Sequence, residues 1–85
     1  MKEFDYVIKD ELGIHARPAG LLAKEAKKYA STCTITKNGT TKKLTALMMI
    51  MSLGVKKGET VTIKAEGADE DAAIAGLKAF FEANL

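Results

Sequence analysis

Pro18 is the only proline in this chain of 85 residues, and it limits where the first helix can begin. Around it, apolar residues recur at the three- and four-residue spacing of an amphipathic helix. They are Ala16, Ala19, Leu22, Ala23, Ala26, Tyr29 and Ala30. Proline costs about 3 kcal/mol inside a helix but is tolerated in its first turn, so the helix must start a residue or two before Pro18. The pattern therefore predicts a helix of about three to four turns with His15 at or next to its N-cap.

The residues at this helix start are also the rarest in the chain. His15 is the only histidine and Arg17 the only arginine. The free N–H groups and positive dipole end of a helix disfavour imidazolium and attract anions, so we expect a neutral, nucleophilic His15 that carries an anionic adduct such as phosphoryl. The N–H groups of Ala16 and Arg17 would bind its oxygens, while the guanidinium neutralises developing charge. Gly13 and Pro18 would position this start, Gly13 by allowing the backbone geometry or close approach that a partner's active site requires.

Other segments of the chain predict four strands. Their signals are alternation of apolar and polar side chains, or runs of β-branched residues. The segments are residues 4–8, 31–36, 41–44 and 60–66. Asn38-Gly39 is the pair favoured in two-residue hairpin turns, so the second and third strands should form a hairpin. Cys33 should face the core.

Two further helices complete the pattern. A short helix, apolar nearly all round, spans residues 46–53, with Thr45 as its N-cap and Gly54 at its end. The last helix follows Asp69, Glu70 and Asp71, which we interpret as helix-start residues with no other role. Its apolar face is Ala73, Ile74, Leu77, Phe80 and Phe81.

The element order is therefore β-α-β-β-α-β-α. Strands with one apolar face and helices with one apolar stripe are most simply combined as two layers. We predict an α+β fold, an open-faced sandwich in which helices cover one side of an antiparallel sheet. Residues 1–85 should form one domain.

Composition argues against several classes of function. The net charge of +2 is too small for a nucleic-acid footprint, and no apolar run approaches membrane-spanning length, so we expect a cytosolic protein with no membrane insertion. A single cysteine excludes an internal disulfide. One histidine without clustered cysteines or carboxylates argues against a metal site, and without a second base a self-sufficient hydrolase is poorly supported. No cofactor is implied.

Three separated motifs resemble those of the HPr family, the histidine-containing phosphocarriers of the bacterial phosphoenolpyruvate-dependent sugar phosphotransferase system. The motifs are Gly13 to Ala19, Met51 to Gly54 and Gly67 to Glu70. The resemblance implies a carrier rather than an enzyme, with a four-stranded sheet and three helices. It also implies that enzyme I phosphorylates Nδ1 of His15, that Arg17 assists, and that enzyme IIA units of sugar permeases receive the phosphoryl group. We expect a monomer.

The second helix departs from the family in one respect. Gram-positive members usually carry a regulatory serine at its start, through which they engage catabolite regulators, whereas this chain has Ala46. Alanine has no hydroxyl to accept phosphate, which leaves the adjacent Thr45 as the weak remaining candidate. That regulatory branch is therefore not expected here.

The same helix is also a candidate docking surface. A short helix on a small domain cannot bury every side chain, so Leu47, Met48 and Met51 should share an exposed face suited to several partners. The family docks through this helix and the first one. Lys24 and Lys27 on the first helix would then steer association with acidic partners.

The residues alone leave two other functions open. One is a regulatory module whose second helix docks on a transcription factor or an enzyme without phosphoryl transfer. The other is a small RNA-binding domain, which the low charge and the lack of aromatic-rich strands disfavour.

Overall fold

The computed structural model describes residues 1–85 and contains four strands and three helices. Their order is the predicted β-α-β-β-α-β-α. The elements are β1 (Lys2–Val7), α1 (Ala16–Ala26), β2 (Thr32–Lys37), β3 (Thr40–Lys43), α2 (Leu47–Ser52), β4 (Thr60–Glu66) and α3 (Glu70–Asn84).

The strands form one antiparallel sheet in the order β1-β4-β2-β3, which confirms the predicted fold class. Ile63 lies at its centre, opposite Phe4 on one side and Ile35 on the other. The β2–β3 hairpin turns at Asn38 and Gly39, whose φ angles of 49° and 81° are the pair of positive values that a type I′ turn requires. The Asn-Gly signal therefore fixes this register.

The core lies between one face of the sheet and the helices. Along β4 the side chains alternate, with Val61, Ile63 and Ala65 fully buried. Phe81 of α3 is fully buried in this core. Its ring packs edge-on against Phe4 and Tyr6, with 5.9 and 5.5 Å between ring centroids. Such aromatic pairs add about 0.5–1.5 kcal/mol each beyond the burial of their area.

The first helix has about three turns, within the predicted length, and ends before the apolar spacing does. It stops at Ala26 with Lys27 as its C-cap, rather than continuing to Ala30. Tyr29 keeps the helical spacing and packs against the core, but its hydroxyl donates to Glu25 at 2.9 Å from a turn. Tyr29 is therefore apolar at this spacing because it packs against the core, not because it belongs to the helix.

The predicted cap of the second helix is also wrong. Ala46, not Thr45, is the N-cap of α2, and no side chain caps it. Gly54 follows the C-cap Leu53 with a φ of 60°, the left-handed conformation that commonly ends helices.

Asp69 does more than begin the last helix. Its side chain does not cap α3; instead it accepts hydrogen bonds from the N–H groups of Ala30 and Ser31, both at 2.8 Å, and from the hydroxyl of Ser31. The Ser31 hydroxyl, followed by the Ala30 N–H, holds the pKa of Asp69 below its usual range. This carboxylate ties the start of α3 to the connection between α1 and β2.

The depressed pKa predicts acid sensitivity. A carboxyl whose pKa is lower folded than unfolded stabilises the fold above its unfolded pKa, near 4, and loses that contribution as pH falls through the folded pKa. We expect Asp69→Asn to lower the melting temperature at neutral pH, with the difference from wild type shrinking as the pH falls below the unfolded pKa. Thermal unfolding across this range measures it. Asp71→Asn, an exposed helix-start control, should differ little from wild type throughout; equal losses in the two variants would contradict the assignment.

Candidate functional site

His15 stands at the start of α1, as the position of Pro18 predicts. It is the N-cap, in an extended conformation with φ −98° and ψ −176°, and its carbonyl accepts the first helical hydrogen bond from Ala19 at 3.0 Å. Pro18 occupies the third helical position, where no N–H is needed. The N–H groups of Ala16 and Arg17 donate to no group of the protein and are free for a ligand.

A short loop before His15 sets the approach to this helix. Gly13 has a φ of 66°, and a Cβ there would lie 2.7 Å from the Cα of Lys56 and still closer to the Val55 carbonyl oxygen. The next residue, Ile14, donates to that same Val55 oxygen at 3.1 Å. Gly13 thus provides the expected backbone geometry, but the close approach that it allows is to this chain's own α2–β4 connection.

His15 opens into a shallow depression of about 290 Å³. The depression is lined by Asp10, His15, Arg17, Pro18, Leu21 and Asn84. Arg17 is exposed, and the side chain of His15 retains 37% exposure. The structure therefore brings the imidazole, the guanidinium and two free N–H groups to one accessible place.

Asp10 is a site residue that the sequence reasoning missed. Its Oδ1 lies 4.0 Å from Nε2 of His15 and also accepts the N–H of Leu12 at 2.8 Å. The sequence signal was an aspartate in a loop ending in glycine, which is also typical of an ordinary turn. Asn84, at the far end of the chain, reaches the depression only because α3 packs against α1.

The second helix presents the expected apolar surface. Met48 is 75% exposed, while Leu47 and Met51 are each 38% exposed, and Ile50 alone is fully buried. Met49, which was not predicted, is also exposed, at 49%. We call these four exposed residues, Leu47, Met48, Met49 and Met51, the α2 surface.

Lys37 anchors the C-terminal end of α2. Its Nζ donates to the carbonyl oxygens of Leu53 and Gly54 at 3.2 and 3.0 Å and pairs with Glu59 at 3.0 Å. The bond from Lys37, followed by the N–H of Lys56, lowers the pKa of Glu59. A cation at this end of the helix complements its dipole and satisfies its terminal carbonyls.

The two predicted steering lysines are exposed but stand apart from the histidine. Lys24 lies in the last turn of α1 and Lys27 is its C-cap, and neither lines the depression around His15.

No group of three or more histidine, cysteine or acidic side chains could hold a metal ion. None of the helices has the length and apolar character needed to cross a membrane.

Comparison with known proteins identifies the family. Residues 2–83 match the family described as "PTS HPr component phosphorylation site". The chain belongs to the HPr family. It is a phosphocarrier of the bacterial phosphotransferase system, a carrier of phosphate rather than an enzyme.

Individual relatives agree with this assignment. The phosphocarrier protein HPr of Mycoplasma genitalium is 46% identical over 85 residues, 99% of this chain and 97% of that protein. HPr-C-His from Thermoanaerobacter tengcongensis matches with a TM-score of 0.93 and 41% identity, over 98% of this chain and 93% of that one. A structure described as an HPr dimer from the same organism has a TM-score of 0.78 at 41% identity, over 98% and 95% of the two chains.

The loop geometry predicts that Gly13 does not tolerate a side chain. Gly13→Ala combines a left-handed backbone with a collision against Val55 and Lys56, so we expect a loss of at least about 2 kcal/mol of unfolding free energy. Urea unfolding measures it. The matched control is Gly20→Ala in α1, where a Cβ meets nothing within 4 Å; it should stabilise by about 0.5–1 kcal/mol. Equal effects of the two changes would contradict this account.

Proposed function

We propose that His15 accepts a phosphoryl group on Nδ1 from phospho-enzyme I and passes it to enzyme IIA units of sugar permeases. The observation that carries the proposal is the arrangement at the start of α1. An accessible imidazole at the N-cap lies beside the free N–H groups of Ala16 and Arg17 and beside an exposed guanidinium. Membership of the HPr family supports a phosphoryl group as the anion.

The proposed step is a phosphoryl exchange between nitrogens. The Nδ1 lone pair of His15 attacks phosphorus, a new N–P bond forms, and the bond to the donor's phosphohistidine breaks with its electron pair returning to the donor nitrogen. Negative charge on the three transferred oxygens would be met by the N–H groups at the helix start and by Arg17. Transfer to enzyme IIA is the same step with the carrier as donor.

The α2 surface is proposed as the docking site for both partners. It exposes three methionines, whose flexible side chains adapt to different binding faces, and α2 packs against α1, which carries the site. Lys24 of α1 and Lys27, the C-cap of α1, are exposed, and their charge would attract acidic partners. The open depression gives a partner's phosphorylated side chain access to His15.

Regulation through the start of α2 is not part of this proposal. Ala46 is the N-cap there and has no hydroxyl, and Thr45, although exposed, does not cap the helix. The proposed carrier is a cytosolic monomer in which residues 1–85 form one domain, and catabolite regulators that read a phosphoserine at this position would not engage it.

The phosphorylation site has a direct test. Incubation with radiolabelled phosphoenolpyruvate and catalytic enzyme I should label the wild-type chain with one acid-labile, alkali-stable phosphate, and His15→Ala should take up none because the attacking nitrogen is gone. Circular dichroism checks that the variant is folded. The proposal is wrong if the His15→Ala variant is labelled or if the wild-type chain is not.

The docking surface predicts a change in KM. Met48→Ser removes an exposed apolar side chain without touching the core, so stability should hold while KM of enzyme I for the carrier rises by about fivefold to tenfold, the loss of about 1 kcal/mol or slightly more at an interface. Steady-state transfer kinetics measure it. The matched control, Val7→Ser, changes a 49% exposed residue of β1 and should leave KM unchanged. A KM for Met48→Ser equal to that of the control would show that the α2 surface does not dock enzyme I.

A further inference from the structure

The strongest unassigned feature of the molecule is the carboxylate that faces the histidine. Asp10 Oδ1 is 4.0 Å from Nε2 of His15, about 1 Å beyond hydrogen-bond distance. The two side chains are 31% and 37% exposed and line the same depression. At this separation the carboxylate acts on the imidazole through its charge.

The chain holds Asp10 in this position through bonds of its own. Oδ1 accepts the Leu12 N–H at 2.8 Å, which fixes the direction of the carboxylate. The Asp10 carbonyl accepts the Gly13 N–H at 3.0 Å, and the Asp10 N–H donates to the carbonyl oxygen of Leu85 at 2.9 Å. The carboxylate is thus preorganised beside the imidazole.

This placement selects one ring nitrogen as the nucleophile. A neutral imidazole carries its proton on one nitrogen only, and a carboxylate beside Nε2 favours the form with the proton there. The lone pair then resides on Nδ1, the atom that attacks phosphorus in the proposed function. When the N–P bond forms, both nitrogens are substituted and the ring becomes positively charged, so a neighbouring carboxylate stabilises the product as well.

We propose that Asp10 is a positioning residue for phosphoryl transfer: it holds the Nε2–H form of His15 and stabilises the positive ring that forms on phosphorylation. The inference rests on the proposed function of His15. In this role Asp10 does not contact the phosphoryl group. Asp10 acts only through the imidazole.

Two substitutions in the same loop separate this role from general charge effects. Asp10→Asn removes the charge but keeps an oxygen to accept the Leu12 N–H. Glu11→Gln removes the same charge one residue further on, from an exposed side chain that forms no hydrogen bond or ion pair within the protein. Both variants should fold, which their unfolding curves verify.

The kinetic test compares single-turnover phosphoryl transfer from phospho-enzyme I. We expect Asp10→Asn to slow the rate at saturating carrier by about tenfold, as loss of a partner that orients a histidine does at metal sites, with KM close to that of Glu11→Gln. Glu11→Gln should stay within about twofold of wild type. If Asp10→Asn matches Glu11→Gln in rate, the proposal is wrong.

The spectroscopic test reads the proton on His15 directly. The ¹⁵N chemical shifts of the single imidazole, measured at alkaline pH, distinguish protonated from unprotonated nitrogen. In the wild-type chain the shifts should place the proton on Nε2. In Asp10→Asn they should approach those of a free imidazole, in which both protonated forms are present. Glu11→Gln should give the wild-type shifts. Unchanged shifts in Asp10→Asn would overturn the positioning role.

The two proposals fail differently in these experiments. If the wild-type chain accepts no phosphate on His15, the proposed function fails and the kinetic comparison has no basis, but the ¹⁵N measurement still decides whether Asp10 sets the proton. If the wild-type chain is phosphorylated and the two variants behave alike in either test, only the role of Asp10 fails.

Discussion

The hydrogen bond from the Ile14 N–H to the Val55 carbonyl holds the loop before His15 against the connection between α2 and β4. It is possible only because Gly13 has no side chain, since a Cβ would occupy the space of the Val55 oxygen. From this contact the chain enters α1 with His15 extended at the N-cap and the next two N–H groups pointing away from any partner in the protein. The chemistry of the site therefore depends on one backbone contact with a segment about 40 residues away in sequence.

The same segment connects the site to the α2 surface. Val55 follows the end of α2, where Lys37 bonds the carbonyls of Leu53 and Gly54 and pairs with Glu59. The connection is thus held on one side by a cation from β2 and on the other by the loop that carries His15. The loop before His15 and the end of α2 therefore contact the same connecting segment, which links the proposed phosphorylation site to the proposed docking surface through the backbone.

Local rules predicted much of this structure. The restriction that Pro18 places on helices located His15 at the N-cap, alternation gave β4 its observed bounds, and Asn38-Gly39 gave the hairpin. The rest depends on contacts between distant parts of the chain, which periodicity does not encode. Tyr29 continued the apolar spacing after α1 had ended, and Asp69 binds backbone groups nearly 40 residues away instead of capping its own helix. Asp10 lies at the site only because of the conformation of the loop that brings its carboxylate near the imidazole.

The α2 surface has a chemical liability that follows from its composition. Three of the chain's four methionines are exposed there in adjacent or nearly adjacent positions, so oxidants in the solvent reach their sulfur atoms without any unfolding. Oxidation to the sulfoxide turns a flexible apolar side chain into a polar, chiral one while leaving the imidazole and its helix start intact. Oxidation would therefore change the proposed docking surface without altering the proposed phosphorylation site, and sulfoxide reductases would reverse the change.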